Sequence, residues 1–323
     1  MSKLKEVAKS FSTYMNNQYK SSVSYTPDTS KNASLSVSDW VEMPTAWKEA
    51  TGLKGLPFGH ITQIYGKKDS GKSSALMQGI SAAQKQGILP ILILTEFKFD
   101  FTRLSKFMDA DPEELLVLEA NDLESGFGYL EKILRSLSNG KLIVESPDGE
   151  DVEIDMTNQK CFIFWDSIGG TLSQSEADGD VEDWSKDMGR TAQAVKKLVK
   201  RSASLLNKVK DRVGILFLNQ VWTARTPTGI SYDKPAGGEA AQHYYALEIH
   251  LKRGNEIKMA YKGKDMGIGY EVELRVAKNH VNHNRPKARI LAVAEGLLPM
   301  SEKDSFKKRY RKYLDQESKN GKE

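Results

Sequence analysis

The segment that most constrains this chain is Gly66-Lys67-Lys68-Asp69-Ser70-Gly71-Lys72-Ser73, which fits the pattern G-x-x-x-x-G-K-[ST]. Each fixed position has a physical reason. Glycines let backbone N–H groups close around phosphate oxygens, Lys72 neutralises the β- and γ-phosphates, and the Ser73 hydroxyl reaches a magnesium ion. The flanks agree. Ile61-Thr62-Gln63-Ile64-Tyr65 alternates like a strand entering the loop, and residues 74–86, opening on Ser74 with Ala75, Leu76, Ile80 and Ala83 apolar, predict the helix leaving it. Strand, loop and helix in this order point to an α/β fold with a nucleotide and Mg²⁺ at the loop.

Composition permits such a fold. The chain has 323 residues, 39% hydrophobic and 28% charged, enough for one large α/β domain with appendages or for two domains. No apolar run reaches the roughly 18 residues of a membrane span, and Met1-Ser2-Lys3-Leu4-Lys5-Glu6 has no apolar signal core. A cytoplasmic protein without a membrane partner is expected. The single cysteine, Cys161, opens an apolar run and reads as a buried small residue. A net charge of +4 is too mild to establish a nucleic-acid partner by itself.

Further along, the apolar run 88–94 has the length of a buried parallel strand and ends in Thr95-Glu96. A carboxylate there lies at the ligand edge of an open α/β sheet, so Glu96 is either a general base for water or a surface group at a strand end. Cys161-Phe162-Ile163-Phe164-Trp165-Asp166-Ser167 is a second buried strand ending in an acid; Asp166 would hold Mg²⁺ opposite Ser73. Val213-Gly214-Ile215-Leu216-Phe217-Leu218 is a third, ending in Asn219-Gln220. Residues 141–156 have the pattern of a surface hairpin.

Residues 169–190 read as a polar, acidic loop, and residues 221–242, without periodicity and too long for an ordinary connection, as a functional or mobile one. Between them a basic stretch around Lys196, Lys197, Lys200 and Arg201 predicts a long helix with a solvated face. Further strands are expected over 244–251 and 270–278. At the N-terminus, Leu4, Val7, Ala8, Phe11 and Met15 form an apolar stripe on a helix, followed by a Ser/Thr-rich linker to residue 39. Residues 301–323 predict a terminal helix with Phe306, Tyr310, Tyr313 and Leu314 on one side and Lys307, Lys308, Arg309, Arg311 and Lys312 around it. It reads as a docked helix or as a basic tail that captures duplex DNA.

In this order the motifs resemble those of the RecA family of DNA strand-exchange recombinases, over roughly residues 40–298. The 66–73 loop is similar to the family's phosphate loop, Glu96 with Asp100 to its catalytic glutamate segment, and Phe164-Trp165-Asp166-Ser167 to its magnesium strand. Leu218-Asn219-Gln220 resembles the strand whose glutamine senses the γ-phosphate, Gly237-Gly238 the segment closing the second DNA loop, and Val276-Ala277-Lys278-Asn279-His280 the strand that reaches a neighbour's ATP. The resemblance implies a RecA-like ATPase core over 40–300 with a mostly parallel twisted sheet. It also implies an N-terminal arm over 1–39 that docks on the next subunit, and no globular C-terminal domain, an architecture closer to phage-encoded recombinases than to bacterial ones. The implied function is an ATP-dependent recombinase forming helical filaments on single-stranded DNA and exchanging strands with homologous duplex DNA, with mediator and single-strand-binding proteins as further partners.

Residue by residue, the resemblance implies that Glu96 activates water, Gln220 couples nucleotide to DNA, and Lys278 acts in trans with His280 beside it. The family usually has a second lysine where His280 stands, and a stacking tyrosine where this chain offers Arg103 for a cation-π contact with adenine. For DNA it implies Met188, Gly189 and Arg190 in the first loop, with Met188 as a wedge between bases. In the second it implies Arg225 as a phosphate contact, Ile230 as an inserted apolar side chain, Gly237 and Gly238 at the loop's close, and Trp222 as a stacking or anchoring residue. Rival readings are a hexameric helicase motor of the same fold and a non-exchanging ATP-binding scaffold.

Overall fold

The computed structural model describes residues 37–320 apart from 38, 97, 146–150, 178–183, 226–227 and 230. The expected N-terminal helix, most of the linker and Ile230 lie outside the described residues. The elements in chain order are β1 (Trp40–Glu42), α1 (Thr45–Thr51), β2 (Gly55–Pro57), β3 (Ile61–Gly66), α2 (Lys72–Gln84), β4 (Leu89–Leu94) and α3 (Phe101–Met108). Next come β5 (Leu116–Glu119), α4 (Leu123–Asn139), β6 (Lys141–Glu145), β7 (Asp151–Asp155), β8 (Cys161–Asp166), α5 (Gln174–Ala177) and α6 (Trp184–Leu206). The remainder is β9 (Val213–Asn219), β10 (Val221–Arg225), β11 (Ser231–Pro235), α7 (Glu239–Gln242), β12 (Tyr245–Tyr261), β13 (Lys264–Asn279), β14 (Lys287–Val293), β15 (Gly296–Pro299) and α8 (Lys303–Asn320).

A nine-stranded sheet in the order β15-β14-β13-β12-β3-β9-β8-β4-β5 forms the centre. The strands from β12 to β5 run parallel, and β13, β14 and β15 join antiparallel. The apolar runs explain this placement, because strands covered on both faces by helices must be apolar at every position. In β8, Phe162 and Phe164 pack with α1 and α2 (Trp47, Leu76, Ile80) on one face. Ile163 and Trp165 pack with α4 and α6 (Phe127, Leu134, Val195, Val199) on the other. The result is a helix-sheet-helix sandwich, the expected α/β class. Cys161 is buried, and burial pushes its thiol up to about 12, so it is inert at neutral pH.

Three expectations change. Residues 221–242 are not structureless: β10 and β11 pair as a hairpin from Val221 opposite Pro235 to Arg225 opposite Ser231, followed by α7. Residues 169–190 shorten as a loop because α5 and the first turns of α6 occupy part of them, so Met188, Gly189 and Arg190 are helical. The strands expected over 244–251 and 270–278 extend to Tyr261 and back from Lys264, forming a long hairpin beyond the sheet edge. Ile257, Met259 and Ile268 on that extension pack with Leu291, Val293 and Phe306 of α8, which gives these otherwise charged strands a buried side.

Phe306 is fully buried at this junction, so α8 is docked. Phe306→Ala is expected to lower unfolding free energy by about 3 kcal/mol, the lower end for a buried Phe truncation, since the pocket it fills lies at the margin of the fold. Urea denaturation checks this, and a loss below about 1 kcal/mol would mean the helix adds little to the core.

Candidate functional site

The exit ends of β3, β4, β8 and β9 meet at one sheet edge, where the 66–73 loop, Glu96, Asp166 and Gln220 line a cleft of about 560 Å³. Strand geometry brings them there, since parallel neighbours present their C-terminal ends on the same side. Gly71 begins α2 with φ +94°, a left-handed conformation that glycine adopts without strain, and the loop turns there into the helix N-terminus. Lys72 folds along the loop, its Nζ donating to the carbonyl oxygens of Gly66 and Lys67, both at 2.9 Å. Burial holds its ammonium below the usual lysine range, while Asp166, Glu96 and Asp69 pull it back up.

The Asp166 carboxyl is pushed up to about 6, by burial first and then by the charge of Glu96, against Lys72 and a hydrogen bond with Ser73. Two acids crowded beside one hydroxyl form an oxygen donor set suited to a hard divalent cation, which would relieve their repulsion. Among the described residues no cluster of three or more His, Cys, Asp or Glu could hold a metal. A cation at Ser73 and Asp166 would therefore need phosphate and water oxygens to complete its shell. The Ser70 hydroxyl is buried without a protein partner, as expected of a cradle built for an additional acceptor.

Glu96 is held by two groups. Its Oε1 accepts from Gln220 Nε2 at 2.9 Å and from the Ser167 hydroxyl. Thr171 braces this corner, its hydroxyl lying 2.6 Å from the Ser167 carbonyl oxygen and 2.7 Å from the Thr95 hydroxyl. A Cβ on Gly170 would stand 2.5 Å from Gln220 Nε2 and 2.6 Å from Glu96 Oε1, so a methyl there would push these side-chain ends aside. Gly170→Ala is expected to lower nucleotide hydrolysis by about 10-fold or more without loss of cooperative unfolding, because misplacing a catalytic group by about 1 Å can cost up to 10²-fold. Wild-type rates in steady-state hydrolysis assays would remove Gly170 from this account.

A family model described as the RecA N-terminal domain matches residues 20–296. The chain belongs to the RecA family. It is 26% identical to Protein RecA of Streptococcus mutans over 235 residues, which is 72% of this chain and 54% of that protein. It is 25% identical to Protein RecA of Streptococcus agalactiae and 26% identical to that of Streptococcus pyogenes, each over 235 residues, 72% of this chain and 54% of the relative. The chain thus spans about half the length of the curated relatives it matches. The RecA match includes all four strand-end motifs and stops short of α8.

The remaining site residues of this RecA-family chain fall into three places. Arg103 donates to the carbonyl oxygens of Val293 at 2.6 Å and Ala294 at 3.1 Å and to Ser74 Oγ at 2.7 Å. These bonds orient it at the wall of a second cleft beside Asp69, Ser70 and Tyr270. Lys278 and His280 are not brought to the loop. Lys278 pairs with Glu248, which pairs with Gln63 in the middle of β3, and its Nζ donates to the Gln242 carbonyl oxygen at 2.5 Å. Buried Glu248 is pushed up to about 7 by desolvation, against the pull of Lys278 and Arg285. Burial and the nearby Lys278 push the His280 imidazole down, favouring its neutral form.

The hairpin residues form the third place. Trp222 and Arg225 are exposed on β10, which leaves Gln220 directly. Asn219 Nδ2 donates to the Ala236 carbonyl oxygen at 2.9 Å and Ala236 N donates to the Gln220 carbonyl oxygen at 3.0 Å, clamping both hairpin roots to β9. Gly237 and Gly238 turn β11 into α7 with φ of +88° and +76°, and a Cβ on Gly237 would meet Val195 of α6 at 2.8 Å. A cleft between this turn and the first loop is lined by Gly170, Leu172, Thr191, Val195 and Trp222. Sequence alone assigns no such roles to Ser167, Thr171, Gly170 and Asn219, although Ser167 and Asn219 directly adjoin Asp166 and Gln220, and Gly170 follows β8 closely.

Proposed function

We propose that this chain is a Mg²⁺- and ATP-dependent recombinase that assembles as a helical filament on single-stranded DNA and promotes pairing and strand exchange with homologous duplex DNA. The observation that carries this reading is the Glu96–Gln220 hydrogen bond. It joins the candidate water-activating carboxylate to the residue from which the exposed hairpin departs, so a change at the phosphate that breaks this bond is passed to Trp222 and Arg225 along the backbone that follows Gln220.

In this reading the loop N–H groups and Lys72 bind the triphosphate, and Ser73 and Asp166 hold Mg²⁺. Bound Mg-ATP supplies a γ-phosphoryl group whose transfer to water yields ADP and phosphate. Glu96 orients that water and accepts its proton. Gln220 exchanges its bond to Glu96 for one to the phosphate, repositioning the hairpin. Lys278 of the adjacent subunit, with His280 beside it, stabilises charge in the transition state and makes hydrolysis depend on assembly. Arg103 lies against the adenine.

Single-stranded DNA lies along the first loop and the hairpin, with Met188 and Ile230 entering between bases, Gly189 and Arg190 beside Met188, and Arg225 on a phosphate. The N-terminal stripe at Leu4, Val7, Ala8, Phe11 and Met15 docks on the next subunit. Filament binding and DNA deformation drive exchange, and hydrolysis permits release. The work takes place in a cytoplasm, and mediator and single-strand-binding proteins act with it. Among the described residues no helix is long and apolar enough to cross a membrane.

A strand-exchange assay with homologous substrates, ATP and Mg²⁺ tests this reading, with Lys72→Ala as control. Exchange by the wild type and its loss in Lys72→Ala support it. Unwinding without exchange favours a helicase motor, and DNA binding without either favours a scaffold.

A further inference from the structure

The phosphate loop touches the hairpin at a second place, apart from Gln220. Lys67 Nζ lies 3.2 Å from Asp233 Oδ1. Asp233 sits in β11 opposite Thr223 of β10, and its other oxygen lies 3.7 Å from His250 Nε2. His250 in turn stacks on Tyr65, with ring centroids 4.9 Å apart and planes 10° from parallel. Tyr65 immediately precedes Gly66 and Lys67 immediately follows it; the Lys67 ion pair ties the loop to β11, while His250, held toward its neutral form by burial and without a hydrogen bond at Nε2, packs beside Asp233.

The two partners differ in freedom. The Asp233 side chain is 16% exposed and fixed in the hairpin, whereas that of Lys67 is 59% exposed. Lys67 also lines the cleft that holds Lys72, Ser73 and Asp166. A triphosphate in that cleft and the Asp233 carboxylate compete for one ammonium group, and the more highly charged anion wins it.

We infer that Lys67 and Asp233 form a second latch between nucleotide and DNA: the ion pair holds the hairpin against the phosphate loop, and a nucleoside triphosphate draws Lys67 away and frees the hairpin for single-stranded DNA. This rests on the function proposed above. Breaking the latch by mutation mimics the triphosphate, so the variant's DNA affinity in the diphosphate state rises toward that of the triphosphate state. An ion pair with one exposed partner supports a change of about two- to five-fold. Linkage requires that DNA tighten triphosphate binding relative to diphosphate binding by a correspondingly smaller factor in the variant.

Fluorescence anisotropy of a labelled oligothymidylate with the full chain and Mg²⁺ tests this, with saturating ADP and with saturating non-hydrolysable ATP analogue. Asp233→Asn, which keeps the side chain's shape, is expected to tighten DNA binding in ADP by about two- to five-fold and leave it unchanged with the analogue. Lys67→Ala should also tighten DNA binding in ADP, and Lys67→Arg, which keeps the charge, should retain the wild-type ADP-to-analogue ratio. Lys234→Ala removes the ion pair to Glu239 at 2.8 Å on the same strand and should leave the ADP-to-analogue ratio unchanged. A wild-type ratio above one that Asp233→Asn does not reduce, or that Lys234→Ala reduces equally, overturns the latch alone. A wild-type ratio of one overturns the latch together with the reading on which it rests.

Discussion

Glu96→Gln is expected to lower DNA-dependent ATP hydrolysis by about 10²–10⁴-fold, the usual contribution of a positioned general base, while nucleotide affinity stays within about two-fold. The substitution is close to isosteric, and its amide oxygen can still accept from Gln220 and Ser167, the two groups that hold Glu96 in place. What disappears is the capacity to take a proton. Binding is spared because Lys72 and Ser73 are untouched and because Asp166 loses the neighbouring charge that helps push its carboxyl up. Single-turnover hydrolysis beside equilibrium binding of a labelled ATP analogue separates the two effects. Equal losses in both would make Glu96 a structural acid at a strand end.

Lys278→Ala is expected to lower DNA-dependent hydrolysis by about 10²–10³-fold, as loss of a preorganised donor to a transition state does. The protein should recover activity when mixed with Lys72→Ala. Within one subunit Lys278 cannot reach its own loop. Gln63, two strands across from it, lies three residues before Gly66, roughly 10 Å along the strand, and each strand spacing adds about 4.8 Å across. Its ammonium is meanwhile held by the Gln242 carbonyl oxygen. In a head-to-tail assembly of the two variants, roughly a quarter of interfaces would join an intact loop to an intact Lys278. No recovery on mixing would show that the site is complete in one subunit.

The residues that could be read directly were those whose chemistry is local. The phosphate loop, the buried runs ending in Glu96, Asp166 and Gln220, and the alternation inside β8 all follow from a few consecutive side chains, and the parallel sheet carries them to one edge. The hairpin over β10 and β11 was hidden because its pairing of Val221 with Pro235 spans Gly and Pro residues that individually favour turns, in a stretch without apolar periodicity. The extension of β12 and β13 was hidden for another reason. Strand pattern alone did not predict it past Leu251, and its apolar positions Ile257 and Ile268 gain a core only through Phe306 of α8. The Lys67–Asp233 pair likewise has no sequence signal, since it joins a variable position of the loop motif to a strand made visible only by folding.

These features converge on a single claim, that the phosphate loop is one wall of a site completed by a neighbouring copy on DNA. Negative-stain electron microscopy of the full chain with single-stranded DNA, Mg²⁺ and a non-hydrolysable ATP analogue tests it most directly. The account predicts helical filaments that follow the DNA. Closed rings, or single molecules scattered along the strand, would contradict it.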